Sequence, residues 1–326
     1  MISPADSHMI LTPMISLWIT KLEQLIQWIP LNRKLIQMTN SKALEKAISL
    51  SISEHPRLSE FDRLVYPVIS RRAGGLSLGL NLNPDKKCSF RCVYCQVDRK
   101  QTKIELIPTI QQISNELKEW LTLIKNNRNQ YKGHTLKDIS IAGDGEPTSI
   151  DILPEVLELL VQFKKEYQQE QCKLVLFTNG TEIHRESIQK SLQQYFDNEG
   201  EVWFKLDFWD VNSLKKINRT RYSFDHIFNN LKQIGKQYPL VLQSCVFNWD
   251  DEYFDPQKYQ TYITLLNQLI REQIKIKKVQ LYTLSRVPAE IKATAWSDEN
   301  MHMLGETIRK QVDVNLEVIY SKGKEL

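Results

Sequence analysis

Cys88, Cys92 and Cys95 stand in the run Lys87-Cys88-Ser89-Phe90-Arg91-Cys92-Val93-Tyr94-Cys95, a C-x3-C-x2-C spacing. An iron–sulfur cubane ordinarily takes four thiolates, one for each iron. Three thiolates leave one iron without a protein ligand. An open iron can bind a substrate or cofactor, whereas a fully ligated cluster can only pass electrons. Zinc is the competing reading, with a histidine as fourth ligand. Zinc sites usually draw their ligands as two pairs. No second pair exists in this chain, and His134 and His184 are isolated and far off in sequence. A disulfide framework fits poorly, because five cysteines is an odd number and nothing marks secretion. Cys172 and Cys245 have no neighbouring ligands and read as buried structural thiols.

The elements that must position these cysteines follow from the pattern. From residue 76 the chain alternates short β-rich runs with longer helical ones. The expected strands are Leu76–Leu82, Asp138–Ala142, Lys173–Thr178, Glu201–Asp207, Pro239–Phe247 and Lys277–Leu284. The expected helices cover about 108–127, 152–170, 182–196, 223–237 and 256–273. Strands separated by crossover helices form a parallel sheet with helices outside. Six units are too few for a closed eight-stranded barrel. The fold class is therefore α/β, a partial (β/α)6 open barrel of parallel strands. Its active site is expected at the carboxyl ends of the strands.

Polar residues gather at those ends. The cysteines follow the first strand. The second runs into Gly143-Asp144-Gly145-Glu146-Pro147-Thr148, and the third ends in Thr178-Asn179-Gly180-Thr181. Gly-Asp-Gly and Asn-Gly also serve as plain turn chemistry. Side chains alternate faces along a strand. Gln243 and Cys245 therefore share one face, and Gln243 is expected to point into a polar lumen. Trp203, Lys205 and Asp207 share a face on the fourth strand. Lys205 could pair with Asp207, bind a ligand carboxylate, or form an imine with a carbonyl substrate; the ion pair is favoured.

These motifs resemble the radical S-adenosylmethionine (SAM) enzymes. In that family the open iron of a 4Fe-4S cluster chelates SAM, and an electron from the cluster yields a 5′-deoxyadenosyl radical. The resemblance implies metal ligation by Cys88, Cys92 and Cys95. Gly143–Pro147 is similar to the family's Gly-Gly-Glu-Pro motif, with Asp144 inserted between the glycines. That motif meets SAM's amino group, which implicates Gly143, Gly145, Glu146 and Pro147. Tyr94 matches the residue whose ring or backbone lies near adenine, and Asn179 joins the SAM-binding set. Lys205 and Asp207 are the candidate catalytic pair. The resemblance also implies an electron donor such as flavodoxin or ferredoxin.

A narrower resemblance covers most of residues 66 to 290. It rests on Ser70-Arg71-Arg72, Ser77-Leu78-Gly79, Cys92-Val93-Tyr94-Cys95-Gln96, Gly143–Thr148, Val202–Asp207, Ile217-Asn218-Arg219 and Val279-Gln280-Leu281-Tyr282-Thr283. It points to a branch related to the tRNA wyosine-forming enzymes, which condense pyruvate with a methylated guanine in tRNA. Those enzymes hold a second cluster on three further upstream cysteines. This chain has no cysteine before Cys88. The branch therefore identifies the machinery better than the substrate. Non-catalytic SAM binding by an iron–sulfur carrier or sensor is the alternative, as is radical chemistry on a small metabolite or peptide.

The remaining signals are coarser. Net charge is only +4 over 326 residues, but residues 66–103 hold eight basic side chains against Asp85 and Asp98. A basic rim suits SAM's carboxylate, an acidic reductase, or RNA phosphates, so tRNA stays a candidate partner. Residues 1–60 read as an N-terminal helical extension, with an amphipathic helix over 14–29, and 61–326 as the barrel domain. The uncharged stretch Met9–Thr20 is too short to span a membrane and lacks signal-peptide features. The cysteine usage points to the cytoplasm, where thiols stay reduced.

Overall fold

The computed structural model describes residues 63–99, 107–126, 136–167, 171–249, 259–320 and 323–324. The chain divides into two units, Met1–Ser49 and Leu50–Leu326, and every described residue lies in the second. The helix expected over 14–29 falls outside the described residues.

The strands are β1 (Val65–Ser70), β2 (Gly75–Leu80), β3 (Leu136–Ile141), β4 (Lys173–Thr178), β5 (Gly200–Lys205), β6 (Leu240–Cys245), β7 (Phe247–Trp249), β8 (Ile276–Tyr282), β9 (Ala293–Ala295), β10 (Leu316–Tyr320) and β11 (Gly323–Lys324). One nine-stranded sheet has the order β1-β2-β3-β4-β5-β6-β8-β10-β11. Pairing from β2 through β10 is parallel, while β1 and β11 are antiparallel edges. The crossovers carry α1 (Ile110–Asn126), α2 (Leu153–Glu166), α3 (Glu186–Asp197), α4 (Phe224–Gln237), α5 (Gln260–Arg271) and α6 (Asp298–Gln311). The six expected parallel strands are thus the first six of seven. Helix α6 and strand β10 extend the partial barrel by a unit, and the hairpin strand β1 precedes it. The expected strand Pro239–Phe247 also ends early. After Cys245 the chain leaves the sheet, and β7 pairs with β9 instead.

Strand parity divides the sheet into two chemistries. The helix-side face carries Leu78, Leu80, Ile139, Ile141, Leu174, Leu176, Val202, Phe204, Leu240, Leu242, Val279 and Leu281, all buried. Burying each such side chain contributes roughly 1.5–3 kcal/mol. The opposite face is mixed: Val175, Trp203 and Val241 bury a small apolar cluster with Phe177, and polar side chains fill much of the rest. Register aligns Lys205 with Gln243, Gln243 with Gln280, and Gln280 with Glu317. A row of polar side chains therefore crosses four adjacent strands. Gln243 Nε2 donates to Gln280 Oε1 at 2.8 Å, and Gln280 Nε2 to Glu317 Oε2 at 2.7 Å. Gln243 faces the lumen, as its parity predicts.

Asp138 lies on the same face, buried and bonded by the Ser77 hydroxyl. Burial pushes its carboxyl up to about 6, against the Ser77 bond and the charge of Arg72. A folded value above the unfolded one favours the neutral form. Its cost is present at pH 7, on the order of 3 kcal/mol, and is relieved as pH falls from about 6 towards 4. Asp138→Asn is expected to stabilise the chain at pH 7.5, with the gain shrinking at pH 5. Urea denaturation at the two pH values measures this.

Candidate active site

The loop after β2 holds the cysteines and is stitched to the loops after four other strands. Glu146 N donates to Lys87 O at 3.3 Å, from the loop after β3. Asn179 Nδ2 reaches Ser89 Oγ at 2.9 Å, and the Thr181 hydroxyl meets the same oxygen at 2.8 Å, both from beyond β4. Beyond β5, Arg91 N donates to Asn218 O at 2.8 Å and Val93 N to Ile217 O at 2.9 Å. Ala289 N, beyond β8, donates to Cys95 O at 3.0 Å. Fixing a loop costs backbone entropy of about 1–2 kcal/mol per residue, and these bonds offset part of it.

The run Gly143-Asp144-Gly145-Glu146-Pro147 holds this assembly together. A Cβ on Gly145 would stand 1.8 Å from Lys87 O, and one on Gly143 would stand 2.2 Å from Asn81 Oδ1. Only glycine permits the cysteine loop to lie this close. The inserted Asp144 accepts from Asn81 Nδ2 at 2.8 Å, while its own N–H donates to Asn81 Oδ1 at 3.1 Å. Glu146 is buried. Its Oε1 accepts from Thr148 N, Thr148 Oγ1 and Thr178 Oγ1, and its Oε2 from Asn179 N. Burial raises its pKa, and those four bonds oppose the rise.

One cavity of about 270 Å³ is lined by Cys88, Cys92, Cys95, Gly143–Pro147, Asn179, Tyr94, Lys205, Gln243 and Tyr282. Asp207 is buried and bonds to residues that line it. Its Oδ1 accepts from Cys245 N at 2.7 Å, and its Oδ2 accepts from the Tyr94 hydroxyl. Lys205 Nζ sits 3.4 Å from Asp207 Oδ2 and donates to the Tyr282 hydroxyl at 2.7 Å. Burial pulls the Lys205 pKa down, but Asp207 and then Tyr282 more than reverse this, so the ammonium is held charged. The Tyr94 ring packs on Phe247 at 5.2 Å and meets the Lys205 ammonium at 5.1 Å. Cys245 lines the cavity too, and Cys172 is buried apart from it.

The donor set fits an iron–sulfur cluster. Each sulfur faces a side-chain N–H group: Asn179 Nδ2 at 3.9 Å from Cys88, Asn218 Nδ2 at 3.3 Å from Cys92, and Arg99 Nη2 at 3.5 Å from Cys95; the Phe90 main chain also bonds Cys88. Such donors stabilise the negative charge of ligating thiolates. Burial pushes the free thiols up, Cys88 to about 11 and Cys92 to about 12. They are therefore protonated until a metal displaces the protons. Among the described residues no three His, Cys, Asp or Glu side chains converge as ligands of a single ion. Tetrahedral zinc with bonds of about 2.3 Å would need sulfurs within roughly 3.8 Å of one another. A cubane offers each thiolate its own iron and tolerates a wider triangle.

Sequence reasoning brought the cysteines, the glycine–glutamate run, Asn179, Tyr94, Lys205 and Asp207 to this place. It did not assign Asn81, Arg99 or Asn218 a role. Asn81 was visible as a polar residue just past a strand end. Arg99 meets Cys95 only four residues away, whereas the Asn218 contact spans 126 residues and leaves no local mark.

No protein-family model matches the chain. It is 26% identical over 261 residues to a protein named GTPase Obg from Brachyspira hyodysenteriae, covering 78% of this chain and 35% of that protein. The chain thus spans about a third of that relative's length. It contains no G-x-x-x-x-G-K-[S/T] run, the phosphate-binding loop of P-loop GTPases. A UPF0026 protein from Helicobacter pylori is 27% identical over 246 residues, covering 72% of this chain and 70% of the relative. A UPF0026 protein from Methanocaldococcus jannaschii is 32% identical over 156 residues, 47% and 43% of the two chains. In three dimensions the chain is similar to a radical SAM methyltransferase from Sphaerobacter thermophilus, with TM-score 0.54, 15% identity, and 76% and 67% of the two chains covered. It is also similar to spore photoproduct lyase, with TM-score 0.51, 13% identity, and 73% and 75% covered. A structure of TYW1 with a lysine–pyruvate adduct bound gives TM-score 0.50, 13% identity, and 86% and 85% covered. At these identities the likeness is one of fold, and it agrees with the resemblance carried by the motifs: this chain has the radical SAM fold.

Proposed function

We propose that this chain is a radical SAM enzyme acting on a substrate held in the polar lumen. Cys88, Cys92 and Cys95 would hold a 4Fe-4S cluster, which when bound supplies an electron that splits SAM into methionine and a 5′-deoxyadenosyl radical. The observation that carries this reading is one cavity lined by the three cysteines, the glycine–glutamate run and Lys205, whose ammonium pairs with buried Asp207, at the carboxyl ends of parallel strands.

The chain's own residues have separable tasks. Gly143 and Gly145 let the cysteine loop dock. Glu146 fixes the main chain of Thr148 and Asn179, and Asn179 spans Cys88 and Ser89. Pro147 and Tyr94 complete the SAM-binding set. Lys205 acts as a fixed cation paired with Asp207. The TYW1 structure holds a lysine–pyruvate adduct, but a lysine whose charge is stabilised by Asp207 is a poor imine-forming nucleophile. Its role here is to hold charge and orient the substrate. An acidic reductase such as flavodoxin or ferredoxin would deliver the electron, and tRNA remains the macromolecular substrate to test.

The test is anaerobic reconstitution, dithionite reduction and assay of 5′-deoxyadenosine, alone and with tRNA or small metabolites added. Cleavage stimulated by one substrate class supports the reading. A loaded protein that binds SAM and never cleaves it is a carrier or sensor. A finer expectation concerns Asn218→Ala. Losing the N–H directed at Cys92 leaves its thiolate more electron-rich, so the cluster's reduction potential should fall. A redox titration followed by electron paramagnetic resonance reads this directly.

A further inference from the structure

We propose that Arg72 is the anion-recognising residue of the substrate site, and that the substrate carries a carboxylate or phosphate group held by its guanidinium inside the lumen. The inference rests on the reading above that this cavity is where the substrate sits.

Arg71 and Arg72 lie in the turn between β1 and β2. Arg71 Nη1 donates to Tyr320 O at 3.0 Å, which ties the turn to the end of β10. Both arginines line the cavity, and Arg72 is the one stacked on its aromatic rings. Its guanidinium lies over the rings of Phe177 at 4.9 Å and Tyr282 at 5.4 Å. Stacking on aromatic faces leaves the N–H edge of the fork free to face a ligand. That edge makes one bond, from Nη1 to Gln243 Oε1 at 3.2 Å.

The polar row fixes the direction of that bond. Glu317 can only accept, so the Gln280 amide nitrogen must face it. Gln280 then presents its oxygen to the nitrogen of Gln243. The Gln243 oxygen is left for Arg72. The guanidinium is held in one orientation before any ligand arrives.

Its charge reaches Asp138 through space but forms no ion pair. Among the described residues no carboxylate stands at ion-pair distance from Arg72. The lumen acids are committed elsewhere: Glu317 to Lys278 at 2.9 Å, Asp207 to Lys205 at 3.4 Å, and Asp138 to Ser77. Lys205 Nζ also lies 5.4 Å from the Tyr282 ring. Two cations therefore border one aromatic ring, and the carboxylate beside them belongs to Lys205. A guanidinium has five N–H donors in a planar fork that matches carboxylate and phosphate oxygens bidentately. A half-buried fork with a single neutral acceptor is an anion site, and a bound oxyanion would balance the excess charge.

The experiment uses the full chain with its cluster reconstituted, and isothermal titration with two probes, malonate for a carboxylate ligand and inorganic phosphate for a phosphate one. The wild type should bind at least one of them at millimolar strength or better. Arg72→Gln should weaken that binding by at least about tenfold, the loss of one charged hydrogen-bonded contact. Arg72→Lys, which keeps the charge without the fork, should recover part of it. Thermal unfolding checks that each variant is folded, and Arg72→Lys serves if Arg72→Gln is not. Equal binding in wild type and variants, or no binding of either anion by the wild type, overturns the proposal. So does a loss of SAM affinity in Arg72→Gln with anion binding unchanged, which would give Arg72 to SAM's own carboxylate. Failure of the radical reading shows separately, as a loaded wild type that binds the anion and cleaves no SAM.

Discussion

Replacing Cys88, Cys92 or Cys95 singly by alanine is expected to abolish cluster assembly and, with it, all SAM cleavage. Three thiolates already leave one iron open, so none is spare. The loss should exceed the roughly 10–100-fold seen when an outer partner of a metal ligand is removed. Cys172→Ala is the matched control. Cys172 is as buried as a core residue, and its thiol meets main chain alone, at the Lys173 carbonyl 3.7 Å away and at Ile139. It should keep full iron content at the cost of a small cavity. Iron and sulfide content with the visible absorption spectrum measures both variants. A Cys92→Ala protein with full iron content and undiminished cleavage would remove the triplet from its role.

Glu146→Ala should be the most damaging substitution outside the cysteines. It leaves four donors without their acceptor: Thr148 N, Thr148 Oγ1, Thr178 Oγ1 and Asn179 N. Each buried unsatisfied donor costs about 1–3 kcal/mol, with partial relief as neighbours shift or water enters. A loss on the order of 3–5 kcal/mol is expected, together with weakened SAM binding as Asn179 moves. Glu146→Gln should cost less. It keeps an oxygen for the threonines but sets an amide N–H against Asn179 N. It also removes a carboxylate whose charge burial disfavours, since the Glu146 pKa is raised. Urea denaturation ranks wild type, Gln and Ala in that order of stability. Equal stability of all three would mean that Glu146 does not hold the loops after β3 and β4 together.

How much of this was legible depended on range. Strands β2, β3, β4, β5, β6 and β8 could be read because the helix-side face is apolar in each and the polar residues follow at one end. Leu174 and Leu176 before Asn179 show the pattern in a single strand. Strand β1 was hidden by Pro67, which cannot donate to a ladder and is confined to edges such as this one. Helix α6 was missed although Ser297 caps it, accepting from Asn300 N, because Asp298–Gln311 shows only a weak apolar stripe. Its strand β10, with Leu316, Val318 and Tyr320 alternating against Glu317 and Ile319, was readable and went unread. Of the donors facing the cysteine sulfurs, Asn218 could not be read. Asn218 lies 126 residues from Cys92 in sequence and meets it only because β5 and the cysteine loop open at the same end of the sheet. The same holds for Arg72 and Gln243, 171 residues apart. Parity placed Gln243 in the lumen, but only the folded hairpin brings the guanidinium to it.

The most direct measurement of the central claim is iron content and electron paramagnetic resonance of the anaerobically reconstituted, reduced chain, with and without SAM. About four irons per chain are expected, with a reduced-cluster signal that changes when SAM is added, because one iron is open to it. A chain that takes up a single metal ion, or whose cluster signal is indifferent to saturating SAM, would contradict it.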